Sequence, residues 1–100
     1  MEISFTSEVI EWRGPAPFLF APIPAERSIE IKEVSSQVSY GWGVIPVEVT
    51  IGKTTLTTSL FPKDGVYLLP IKVAMQRAEA IEVGTKVKAK ISIDLQAKFR

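Results

Sequence analysis

The sequence predicts an all-β fold, a closed six-stranded barrel carrying two short helices. Three observations predict it. Strict apolar and polar alternation recurs, most clearly in "VIPVEVTI" and "TKVKAKISIDL". Each of these strands follows a helical stretch that opens on a proline. The order short strand, helix, glycine, long strand also occurs twice, as "FLFAPIP…GVIPVEVTI" and "GVYLLP…GTKVKAKISI". Two such halves, 1–52 and 53–95, would leave no sheet edge exposed if they wrapped around a pseudo-twofold axis, with 96–100 as a loose tail.

Each element has a local reason. In "ISFTSEVIEW", Ile3, Phe5 and Val9 share one face, and Ile10 and Trp12 break the register, which predicts a bulge or bend. "RGPAP" is a turn and "FLFAPI" a short strand. Pro24 suits the first position of a helix in which Ile31, Val34 and Val38 recur at helical spacing and Glu26, Glu30 and Lys32 face water. In the next strand Ile45, Val47, Val49 and Ile51 point inward. "TTLTTSLF" alternates again, so Gly52-Lys53 falls where a two-residue hairpin turn belongs. "KDG" is a turn and "VYLL" a strand. Pro70 opens a second helix with Ile71, Met75 and Ala78 along one stripe. In the last strand Val87, Ala89, Ile91 and Ile93 face in, while Lys86, Lys88 and Lys90 face out.

The run "IGKTT" resembles the end of a nucleotide-binding phosphate loop. That loop needs a second glycine where this chain has Val47, and a helix after the lysine. A run of threonines follows instead, so a hairpin turn is expected and nucleotide binding is not.

Composition excludes several chemistries. The chain of 100 residues has no cysteine and no histidine, which removes disulfides, thiolate or imidazole metal sites and the commonest general base. Neither a metal nor a cofactor is expected, and no catalytic residue can be named. Ser59 lacks a Ser-x-x-Lys partner, and Glu11, Glu48 and Asp94 are too scattered to pair as acid and base. Residues 1–40 hold three basic and six acidic side chains and residues 41–100 nine and five, so the halves carry −3 and +4. No export signal or long apolar run opens the chain, so a cytoplasmic location without membrane contact is expected.

From Gly41 to Ile93 the residues resemble the bacterial family called domain of unknown function nineteen-oh-five. "GWG", "V-x-V-x-x-x-I-G", "T-S-L-F-P", "Y-L-L-P-x-K" and a closing "G-x-x-V" carry the resemblance. The family also occurs at the N-terminus of proteins labelled bacteriocin-protection, YdeI- or OmpD-associated. The resemblance implies a small six-stranded barrel and no established activity. Two departures stand out: Ala80 where the family has glycine, so the helix ends without one, and Thr85 where it has an acidic turn residue. "LPIKVAMQRAEAIEVGTKV" resembles, more faintly, the half-motif of AbrB-type DNA-binding proteins, which supports the fold and says little about function.

The candidate binding residues are Trp42, Tyr67, Lys72, Arg77, Thr58 and Trp12. The two tryptophans could stack on a ligand at a barrel mouth, although a place in the core is the commoner role of such residues. Thr58 belongs to a hydroxyl row on a strand. Lys72 falls in the first turn of a helix, where a cation opposes the dipole, which singles it out as an anion contact. Lys86, Lys88 and Lys90 look like a solvated face that protects an edge strand. The expected function is a non-catalytic module for a small molecule or a protein, acting as a monomer or weak homodimer, with its site near Trp42, Tyr67 and Lys72. Lysine or tyrosine chemistry at Lys72 or Tyr67, and nucleic-acid binding through the lysine row, stay open as alternatives.

Overall fold

The computed structural model describes residues 1–12, 18–38 and 43–94, with the side chains of 36–38 left out. The expected "RGPAP" turn, the C-terminal tail and Trp42 lie outside the described residues. Among the described residues the chain runs β1 (Glu2–Glu8), β2 (Ile10–Trp12), β3 (Phe18–Pro22), α1 (Ala25–Val38), β4 (Ile45–Ile51), β5 (Thr54–Lys63), β6 (Val66–Ile71), α2 (Val73–Glu79) and β7 (Lys86–Ser92). The strands are paired antiparallel in the order β1-β7-β4-β5-β6-β3-β2.

The outcome is an open half-barrel of seven strands rather than the expected closed barrel of six. The seventh strand arises at Val9. Its amide donates to the carbonyl of Thr85 at 2.9 Å, and its carbonyl accepts from the amide of Gly84 at 2.8 Å. The long N-terminal strand therefore bends there, giving β1 to β7 and β2 to β3. The break in register expected at Ile10 and Trp12 is this bend.

β5 divides in the same way. Thr54 to Leu60 pair with β4, whereas Phe61 to Lys63 pair with β6, so no residue of β5 is laddered on both sides. Strands that switch from one sheet to another at a bend make corners of this kind. The β5–β6 ladder stops at Phe61–Leu68. Extending that register by two would set Ser59 against Pro70, and proline has no N–H to offer.

Both hairpins form as the sequence predicts. Asp64 (φ 50°) and Gly65 (φ 85°) make the paired left-handed turn between Lys63 and Val66, and Gly52 (φ 60°) opens the two-residue turn between Ile51 and Thr54. "IGKTT" is a hairpin.

The inward alternation is also as expected: Ile45, Val47, Val49 and Ile51 of β4 meet Val87, Ala89 and Ile91 of β7 in one buried core. Ile31 of α1 and Met75 of α2 enter that core from the helices. Ala78, expected on the same stripe as Met75, is exposed. Ser28, only 2% exposed, donates to the carbonyl of Ile23 and accepts from the amide of Tyr67, both at 3.1 Å, so α1 is stapled to β6.

Two expectations are corrected, those for Pro70 and for β7, and α2 ends without a glycine as expected. Pro70 does not open α2 but sits inside β6, paired with Phe20. β7 is not an edge strand; β1 and β4 flank it, and Glu8 lies directly opposite Lys86. Ala80 takes the left-handed conformation itself, φ 54° and ψ 49°, with its amide bonded back to the carbonyl of Gln76.

Candidate functional site

The two corners of the half-barrel are tied differently, and that difference makes the site. At the first corner the hydroxyl of Ser7 donates directly to the carbonyl of Pro22 at 2.6 Å, holding β1 to β3. At the second, β5 and β6 diverge beyond Phe61 and Leu68, and α2 lies along the seam. The ammonium of Lys72 donates to the carbonyl of Thr57 at 2.5 Å. At the other end of the helix, the carboxylate of Glu79 accepts from the hydroxyl of Thr54 at 2.5 Å and from the amide of Lys53 at 3.3 Å. α2 thus covers a strand edge that would otherwise be open.

Lys72 is the residue before the helix, extended at φ −63° and ψ 151°, and its side chain caps nothing. Both Lys72 at the start and Glu79 at the end oppose the helix dipole. Their placement is explained by β5, which each of them grips. Gln76 reaches back to donate to the carbonyl of Ile71 at 2.8 Å.

Over this seam lies a groove of about 540 Å³. Phe18 and Leu19 of β3 wall one side, Thr58, Ser59 and Phe61 the other, and Val73 of α2 one end. Phe18 is 58% exposed, Val73 57% and Phe61 44%, so an apolar surface faces water here. Phe18 also leans on Phe20, ring centroids 6.5 Å apart. Among the described residues of its lining, Lys72 is the one charged side chain and no carboxylate is present. An apolar trough with a few placed hydroxyls and one cation has the character of a small-molecule site.

The sequence candidates are thus partly gathered. Thr58 and Lys72 meet in the groove. Trp12 stands opposite Phe18 in the ladder, 43% exposed rather than in the core, with the ammonium of Lys63 3.2 Å from its ring centroid. Tyr67 is buried and lines a second cavity, between α1 and the β5–β6 hairpin, so it does not share a site with Lys72. Arg77 is exposed in the last turn of α2, where its charge suits the dipole, and it lines neither cavity. The lysine row of β7 stands on the outer face beside Thr6, Ser4 and Thr50.

Phe18, Phe61 and Val73 were missed from sequence. A signal for Phe61 existed: Leu60 and Phe61 are adjacent large apolar residues in a strand, and only one can face the core.

The seam that shapes the groove falls within a stretch shared with other proteins. The family model described as domain of unknown function (DUF1905) matches residues 5–91. The chain belongs to that family. The match spans both corners of this DUF1905 domain, α2 and every residue of the groove. No curated protein matches the chain. Among the described residues there is no cluster of acidic side chains able to hold a metal ion, and no helix is long and apolar enough to cross a membrane.

Proposed function

We propose that this DUF1905 domain is a non-catalytic binding module whose groove takes a small apolar ligand ending in a carboxylate or similar anion. One observation carries the reading: among the described residues, Lys72 is the sole charge in the lining of an otherwise apolar and hydroxyl-bearing groove. An apolar ligand body would replace water over Phe18, Phe61 and Val73, worth about 25 cal/mol per Å² of apolar area covered. Lys72 has three N–H donors and spends one on Thr57, leaving donors for an anion without releasing β5. Thr58 sits beside it as a hydroxyl donor or acceptor.

Titration followed by amide NMR shifts tests this, using 4-phenylbutanoate and its neutral amide as probes. Saturable shifts at Thr58, Phe61 and Val73 are expected, with the carboxylate bound about three- to tenfold tighter than the amide. Lys72→Met should erase that preference. Absence of saturable shifts along the groove overturns the reading.

A further inference from the structure

The second cavity has a different chemistry and stands independently of the groove. It is an open pocket of about 420 Å³ between α1 and the β5–β6 hairpin. The buried Tyr67, Val66, Pro62 and the exposed Ile29 give it apolar surfaces. Its rim is charged and balanced. α1 supplies Lys32 and Glu33, and the hairpin supplies Lys63 and Asp64, so each wall presents one cation and one anion.

Among the described residues, the side chains of Lys32, Glu33 and Asp64 make no hydrogen bond or ion pair, although Arg27 and Glu30 pair at 2.8 Å one turn earlier on the same helix. The ammonium of Lys63 rests on the ring of Trp12. Lys32, Glu33 and Asp64 therefore border an apolar space without pairing with one another, and Lys63 on the same rim is held by Trp12.

We propose that this pocket binds a free α-amino acid with an apolar side chain. A ligand carrying a single charge would meet a like charge on each wall, whereas a zwitterion can set its ammonium toward Glu33 or Asp64 and its carboxylate toward Lys32 or Lys63. The apolar side chain then enters toward Tyr67 and Ile29. A volume of this size lies in the range of small-molecule pockets and exceeds the bulk of one amino acid.

The test is an NMR titration of the full chain with L-phenylalanine, 2-phenylethylamine and 3-phenylpropanoate. Saturable shifts at the amides of Ile29, Gly65 and Val66 are expected with L-phenylalanine, at least about fivefold tighter than with either single-charge analogue. Asp64→Asn keeps a residue suited to the left-handed turn, and Lys32→Gln lies on an exposed helix face, so both variants should fold. Each should weaken L-phenylalanine about three- to fivefold. Equal binding of all three probes, shifts confined to Phe18 and Val73 of the groove, or unchanged affinity in both variants would overturn the proposal.

Discussion

Lys72 donates across the seam to the carbonyl of Thr57 at 2.5 Å, fifteen residues and one strand away, where β5 is laddered to β4 on one side alone. Residues 55, 57 and 59 alternate with those bonded to β4, so their main-chain groups point toward α2 and β6. The lysine therefore does the work of a missing neighbouring strand. Replacing it with Met keeps the stem and removes the donor, and should lower unfolding free energy by about 1 kcal/mol in urea denaturation. Lys72→Arg should recover part of that loss. A Met variant as stable as the parent would show that the tie is incidental.

Glu79 makes Gly52 unusually intolerant. Gly52, Gly65 and Gly84 all have positive φ, so alanine is strained at each. A Cβ at Gly52 would also collide with the carboxylate of Glu79, whereas nothing lies within 4 Å of one at Gly65 or Gly84. Gly84→Ala should cost about 1 kcal/mol and Gly52→Ala about 2 kcal/mol or more, because the latter also displaces the carboxylate from Thr54. Thermal unfolding of the two variants side by side decides it.

Ala80 offers the opposite change. A non-glycine residue at φ 54° after the last turn of α2 carries strain that glycine would relieve. Ala80→Gly should raise stability by about 1 kcal/mol, net of the extra chain entropy of glycine. A drop in melting temperature would contradict this account of the helix end.

Thr85 does the job expected of an acidic turn residue. Its hydroxyl accepts from the amide of Glu82 at 3.0 Å, and its own amide donates to the carbonyl of Glu82 at 3.1 Å. Thr85→Ala should cost about 1 kcal/mol, while Thr85→Asp should be close to neutral because an aspartate oxygen can accept the same bond. Chemical denaturation of both variants checks the pair. Equal losses in the two would rule out a capping role.

Much was determined by sequence alone. The alternation in β4 and β7, the left-handed turns at Gly52 and Asp64-Gly65, and the absence of cysteine and histidine are local facts. Each followed from side-chain period, backbone freedom or residue chemistry without knowledge of any neighbour. The bend near Ile10 was legible for the same reason. Tertiary structure alone decided the rest. That Val9 would bond to the turn at Gly84 and Thr85, splitting the N-terminal strand in two, depends on contacts across more than seventy residues. That Pro70 would fall on the β5 side of β6, ending a ladder and leaving a groove, depends on strand register. Lys72 could be singled out from its place by a helix, but Thr57 as its acceptor and Phe18 as the facing wall could not. Local pattern states which face of an element is apolar; which elements meet, and where they part, is settled only when the core is packed.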